Sequence, residues 1–488
     1  MPRFSPFEKS IAELQLAIDS GQTTSVALLD FYRERIAAYD QTGPALNAIR
    51  AISPDAARVA AERDAERAAG KVRGPLHGIP VVVKDNYETL DLSTTAGSAL
   101  LADFCTGRDA TLVSKLRDAG AIVFAKTQMH EFAYGITTMG SLFGQTRNPY
   151  DLDVNPGGSS GGTAAAVAAN FAAVGMGSDT CGSIRIPAGH NNLVGLRGTQ
   201  GLLSRFGLVP LSHTQDIGGP IARSVEDLAT VLDATVGFDP RDAQTGASRG
   251  RVPPSYVEGL ASSHLRGVRF GVLAEAMSRG SDDEEVAEVV RRAASGCATL
   301  GAEVVELSRP ELDQLVGGPL AGLLVLAQDF KWDIGDYLSG FPEAPARSLA
   351  EIIRAGGYHA CIEERLRVSE ATEDRAGATY REELKRSAAL RRYLHALLRE
   401  EGLDALIYPT IRRLPVRIGV FEQEGSNCRL SAKSGLPAIS LPAGFSAGGI
   451  PIGMELLGRA WSEARLLQYA SAIERAFPRR RAPASVPI

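Results

Sequence analysis

Along the first forty residues the apolar positions recur at helical spacing. Leu28, Leu29, Tyr32, Ile36 and Tyr39 share one face of the segment VALLDFYRERIAAYD, with Thr23, Thr24 and Ser25 as candidate caps and Gly21 separating it from an earlier helix. DAARVAAERDAERAAGK, residues 55–71, reads as a partly exposed helix ending near Gly70. Then the period changes. Ile79 to Val83 form an unbroken apolar run after proline and glycine punctuation, which predicts a buried strand with Lys84 at its end.

The alternation continues. TLVSKLRDAGAIVFAKT, residues 111–127, predicts a helix stopped at Gly120 and then a strand, the signature of an α/β layer architecture. Residues 141–219 are rich in glycine, serine and threonine, yet the alanine helix TAAAVAANFAA runs through them, so these glycines turn the chain inside a core rather than forming a linker. SVEDLATVLDATVG predicts a helix capped by Ser224, with Asp227 at the capping-box position. A polar connector covers about 238–263, and VRFGVLAE, the following acidic-start helix and AEVVEL repeat the strand-helix-strand grammar. LDALIYPT, GLPAISLPAG and PIGMELLGR supply late strands before a closing helix. One α/β domain over 1–488 fits this order, with an N-terminal helical region over 1–70 and a helical, substrate-shaping insertion at about 310–400.

Composition narrows the class. Fifty-two basic against 57 acidic residues give a net charge of -5, which argues against a phosphate-backbone surface as the main function, although a local basic patch stays open. Five scattered cysteines without a CxxC read as free thiols of a reducing, cytoplasmic compartment. There is no secretory pattern at the N-terminus and no apolar run long enough to span a bilayer, so no membrane partner is expected.

The chemistry concentrates after Asn155, in NPGGSSGGTAAAVAANFAAVGMGSDTCGSIRIPAG. Gly157, Ser159 and Gly161 satisfy the G-x-S-x-G elbow, but an apolar strand does not precede them, and the late histidines, His359 and His395, sit in charged helical text. A P-loop lysine is missing after Gly162, and GMGSDT lacks the third glycine of a dinucleotide fingerprint. His130-Glu131 is half of a zinc motif with no second histidine, so neither metal nor organic cofactor is expected. What remains is serines in glycine-dense turns and a lysine ending an apolar strand. A serine nucleophile needs a base, and lysine serves only if burial or charge lowers its pKa. From the residues alone, Lys84 is more often the kind of lysine that marks a surface point.

The sequence resembles the amidase signature family. GPLHGIPVVVKDN resembles the family's lysine segment, GGSSGG with its alanine helix the signature core, and GSDTCGSIRIPA the nucleophile segment; Ser159 follows Lys84 by 75 residues and Ser183 follows by a further 24, as in the family's triad. The resemblance is dense over about 12–238 and moderate over 403–475. It implies a mixed, largely parallel central sheet covered by helices on both faces, with Lys84, Ser159 and Ser183 catalytic. It also implies a cis peptide link before Ser159 and an oxyanion hole from backbone N–H groups of Thr180, Cys181, Gly182 and Ser183. Ser160, Asp179, Arg185, Gln215 and Asp216 are expected to support the network. Cys181 replaces the family's usual glycine. It is read as a bystander facing away from the substrate, against a nitrilase-like rival in which it would be the nucleophile.

The implied reaction is hydrolysis of a small or aryl/medium-acyl carboxamide to carboxylate and ammonia or amine through an acyl-Ser183 intermediate. The rival activities are an aryl acylamidase, carbamate or ester hydrolase, and the glutamine-hydrolysing subunit of a tRNA-dependent amidotransferase. Met129, Tyr134, Thr137, Thr138, Met139 and Phe143 are the candidate pocket. A small-molecule amide is the expected partner, with no nucleic acid; a homodimer is expected from the family alone.

Overall fold

The apolar run before Lys84 sets the position of the central layer. Val81, Val82 and Val83 are completely buried, as a strand covered on both faces requires. The computed structural model describes residues 4–317 and 321–488, without the side chains of 321–324. Its strands are β1 (Ile49–Ile52), β2 (Pro80–Lys84), β3 (Ile122–Thr127), β4 (Met139–Gly140), β5 (Gly144–Gln145), β6 (Val174–Ser178) and β7 (Val194–Arg197). They continue with β8 (Gly218–Ala222), β9 (Arg269–Leu273), β10 (Glu303–Leu307), β11 (Ala405–Pro409), β12 (Ala438–Phe445) and β13 (Pro451–Leu457).

Eleven of these form one sheet in the order β1-β3-β2-β6-β8-β7-β12-β13-β11-β9-β10, and β4 pairs with β5 apart from it. The sheet is mixed, with helices on both faces, as the sequence implied. Its parallel pairing is concentrated in two blocks, β3-β2-β6 and β11-β9-β10, and the strands joining them are antiparallel. In the first block Val83 lies opposite Met176, so the C-terminal ends of β2 and β6 finish side by side.

The glycine-rich stretch is core. Every residue of the helix Gly161–Ala168 is buried. A Cβ at Gly162 would come within 2.3 Å of the Gln128 carbonyl, so the helix reaches the chain after β3 only because that position has no side chain. The local signals further out are equally direct. Thr24 caps the helix Ser25–Tyr39 by accepting from Ala27 N–H, and Ser224 caps Val225–Thr235. Asp227 does not close the expected capping box, however. Its carboxylate accepts the N–H of Ile11 at 2.7 Å and ties that helix to the N-terminal one.

Between β10 and β11 the chain is helical: Ala321–Ser339, Leu349–Ala355, Ala360–Glu370 and Ala378–Glu400. Phe330, Ile334, Leu338 and Leu366 form a second apolar cluster with Phe132, Tyr134 and Leu211 of the sheet body. Among the described residues no helix is long and apolar enough to cross a membrane.

Phe330 is fully buried, with its ring 5.2 Å from that of Tyr134 and 5.8 Å from that of Phe132. Phe330→Ala is expected to lower stability by about 3–5 kcal/mol through the cavity it leaves. Urea unfolding followed by fluorescence reads this, and an unchanged midpoint would show that the helical segment is not anchored through this ring.

Candidate active site

Lys84, at the end of β2, is completely buried. Its Nζ donates to Ser159 Oγ at 2.6 Å and to Ser178 Oγ at 2.8 Å, and lies 3.4 Å from the Ser178 carbonyl. Among the described residues no carboxylate pairs with it. Burial lowers its pKa from the ordinary lysine value to about 7, against the opposing pull of Asp216 and Asp179. Ser159 is presented by a cis peptide bond after Gly158, at the entrance to the buried alanine helix. Its carbonyl accepts from His130 N–H.

Ser183 lies in the turn between β6 and the short helix Arg185–His190. Asp179 organises that turn. Its carboxylate accepts the N–H of Gly182 at 2.8 Å and of Ile184 at 3.2 Å, and pairs with the buried guanidiniums of Arg185 at 3.1 Å and Arg197 at 3.1 Å. Burial acts to raise the Asp179 pKa, but the two arginines and the Gly182 N–H outweigh it and hold the carboxyl far below the carboxylate range. Arg185 is held in turn by Glu455 of β13 at 2.9 Å and by the Cys428 carbonyl at 3.1 Å.

The other supporting positions converge on the same turn. Ser160 N–H donates to the Ser183 carbonyl at 3.2 Å, and its Oγ donates to the Ser178 carbonyl at 3.1 Å. Asp216 accepts from Thr180 Oγ1 and from the N–H groups of Leu211 and Ser212, while the Gln215 carbonyl accepts from Arg197 at 2.6 Å. The sequence reading missed Ser178 and Asn86, which donates to Ser178 Oγ at 3.0 Å, and also Glu455. Ser178 directly precedes Asp179 and Asn86 ends the lysine segment, so position was their only signal. Glu455 lies far downstream and carried none.

Two expectations for the turn change. The left-handed backbone angle falls on Gly182, at φ 120°, and not on Cys181, so cysteine is unstrained there. Gly182 N–H is taken up by Asp179, which removes it from the oxyanion-hole set. The N–H groups of Thr180, Cys181 and Ser183 make no protein hydrogen bond among the described residues. Cys181, expected to face away, instead lines a cavity together with Ser183 and Thr180.

That cavity measures about 650 Å³. Its lining includes the apolar side chains of Tyr134, Ile136, Leu211, Leu326 and Leu430 together with charged ones such as Glu275, Arg279, Arg412 and Arg413. Arg365, also in the lining, donates to the Tyr134 carbonyl at 2.6 Å and pairs with Glu422 at 2.8 Å. Of the six expected pocket residues only Tyr134 lines it. The chain turns through the left-handed residues Phe132 and Ala133, and residues 133–136 line the cavity while 137–143 do not. Thr138 thus braces the signature turn, donating to the Gly157 carbonyl at 2.7 Å and accepting from Gly161 N–H. Met129, Thr137 and Met139 are buried, and Phe143 is exposed under the Arg50 guanidinium.

Burial holds the His130 pKa well below its usual value, and the Glu131 carboxylate accepts from Ser141 and from His359 N–H. His213, Asp329 and Asp333 bring donor atoms within 4.8 Å of one another. Their oxygens already accept from Ser212, Thr214, Tyr380 and His213, which makes the group a brace between the loop carrying Asp216 and the helix Ala321–Ser339.

Comparison with known proteins adds identity to this geometry. The family model described as Amidase matches residues 27–467. A glutamyl-tRNA(Gln) amidotransferase subunit from Synechococcus sp. (strain CC9605) is 35% identical over 484 residues, 96% of each chain. The native peptide amidase of Stenotrophomonas maltophilia superposes with a TM-score of 0.87 at 37% identity, over 98% of each chain. The corresponding glutamyl-tRNA(Gln) amidotransferase subunit of Thermotoga maritima gives 0.77 at 28% identity, over 98% of this chain and 97% of that one. The expectation of no nucleic-acid partner is overturned by the relatives named for glutamyl-tRNA(Gln), which match almost end to end; a net charge of -5 is a sum over the whole surface and could not exclude such a partner. With the family model spanning most of its length and these folds superposing over nearly the whole chain, the chain belongs to the amidase signature family, enzymes that hydrolyse amide C–N bonds.

Proposed function

We propose that this enzyme hydrolyses the terminal carboxamide of an extended substrate with an apolar acyl or peptidyl portion, using Ser183 as nucleophile and Lys84 as the base. The observation that carries the proposal is the lysine: buried, without a carboxylate partner, with its pKa near 7 and 2.6 Å from Ser159. A neutral amine in that position takes a proton from Ser159 as Ser159 takes one from Ser183, and Ser183 Oγ bonds to the amide carbon. The oxyanion is received by N–H groups of Thr180, Cys181 and Ser183. The relay then runs backwards, protonating the departing nitrogen as the C–N bond breaks. Water repeats the cycle on the acyl-Ser183 ester, releasing the carboxylate.

The cavity supports the substrate class. Its volume of about 650 Å³ and apolar inner wall suit a ligand much larger than glutamine. The higher TM-score and identity with the peptide amidase than with the Thermotoga protein support the same reading. Leu326 and Arg365 line the cavity, which supports a substrate-shaping role for the helical segment at about 310–400. A second reading, the glutamine-hydrolysing subunit of a tRNA-dependent amidotransferase, is favoured by the match across 96% of the Synechococcus protein. Aryl carbamates and esters could use the same serine chemistry and belong in the same assay.

Product release distinguishes these readings: ammonia from amidated peptides ending in leucine or phenylalanine, from short aliphatic amides and from glutamine, the arylamine from anilides, and the phenol from aryl carbamates and esters. Amidated peptides are expected to be the preferred substrates, and turnover of glutamine alone among them would favour the amidotransferase role. Ser183→Ala is expected to lower turnover by about 10⁴-fold or more, whereas Cys181→Ala keeps it within about tenfold.

Because the working form of Lys84 is the neutral one, kcat/KM is expected to rise with pH up to about 7 and then level off. Lys84→Met is expected to abolish this limb together with the activity. A wild-type profile flat from pH 5 to 8 would remove lysine from the role of base.

A further inference from the structure

A second cleft, of about 520 Å³, opens where β9 and β11 begin and β13 ends. It shares no residue with the Ser183 cavity. The two lie at opposite ends of β9: Leu273 lines the first and Val268, just before the strand, the second, about 16 Å away along an extended strand.

The charge of this cleft sets it apart. Arg266, Arg459 and Arg465 all line it, with His264 beside them, and none of the three arginines forms an ion pair among the described residues. In the Ser183 cavity, by contrast, Arg365 is matched to Glu422 and Arg413 to Glu424. The carboxylate that lines the second cleft, Asp404, is already engaged. One oxygen accepts the Arg269 N–H at 2.8 Å and the other the Tyr469 hydroxyl at 3.1 Å. Arg459 is held in place by the Leu398 carbonyl at 2.9 Å and the Leu403 carbonyl at 3.1 Å, so one guanidinium is fixed before any ligand arrives. Ser262 and Ser263 also line the cleft, with their hydroxyls donating to the Gly259 carbonyl at 3.3 Å and the Leu260 carbonyl at 2.7 Å, so the arginines and His264 carry its open donors.

In a chain with a net charge of -5, three guanidiniums against the single Asp404 carboxylate leave this concavity with a net positive field that an anion would relieve. Guanidinium forks and an imidazole N–H are donors that match the oxygens of a phosphate group. We infer that this cleft is a binding site for a phosphate-bearing ligand, separate from the catalytic cavity. The phosphate can belong to a small phosphorylated metabolite or to a phosphodiester of RNA. The inference does not depend on which amide the enzyme cleaves.

Calorimetric titration of the full-length protein at low ionic strength tests it, with inorganic pyrophosphate and adenosine 5′-monophosphate in one arm and a short unstructured RNA in the other. Arg266→Gln with Arg465→Gln is the variant, since both side chains are exposed and outside the catalytic cavity. Saturable binding is expected in at least one arm and is expected to weaken by about tenfold or more in the double variant, while amide turnover is unchanged. Tighter binding of the small phosphates identifies a metabolite, and binding confined to the RNA, lost in the same variant, identifies a phosphodiester. No saturable binding in either arm, binding that the double variant leaves intact, or loss of amide turnover in that variant would overturn the inference.

Discussion

The site depends on the removal of one ammonium group from water. Lys84 is sealed at the end of β2 with two serine hydroxyls for partners and no carboxylate, and burial brings its pKa to about 7. A paired lysine would keep its proton and an exposed one would be solvated; this one can release it near neutrality. The surrounding architecture serves that desolvation. β2 and β6 run parallel and finish together, the alanine helix closes over them, and a glycine at 162 lets that helix approach the chain after β3.

A second constraint holds the turn that carries Ser183. Buried charges are stable when each has partners, and here Asp179, Arg185, Arg197 and Glu455 complete one another while the Asp179 carboxylate collects two backbone N–H groups. By taking the N–H of Gly182 it leaves those of Thr180, Cys181 and Ser183 as donors. The loop bearing Asp216 is tied through Asp329 and Asp333 to the helical segment after β10, so the turn and one cavity wall share a support.

Much of this could be read from the chain. The β-branched run before Lys84, the serine spacing and the Thr24 and Ser224 caps are local signals, and each corresponds to a feature of the structure. The pocket was less legible. Residues 129–143 look like a continuous apolar lining, but left-handed turns at Phe132 and Ala133 expose only the middle of the segment, and backbone angles of that kind leave no clear trace in residue type. Glu455 reaches the site through sheet order and Leu430 from the helix Arg429–Ser434, placements that periodicity cannot supply. Asp227 shows the same limit: its position fits a capping box, and tertiary packing gives its carboxylate to Ile11 instead.

The most direct test of this mechanism is to trap the covalent intermediate. Rapid acid quench after mixing with an activated acyl-peptide ester, followed by peptide mapping by mass spectrometry, locates the acyl group. The predicted result is an adduct on Ser183, absent in Ser183→Ala. An adduct on Cys181 or Ser159 would contradict the mechanism.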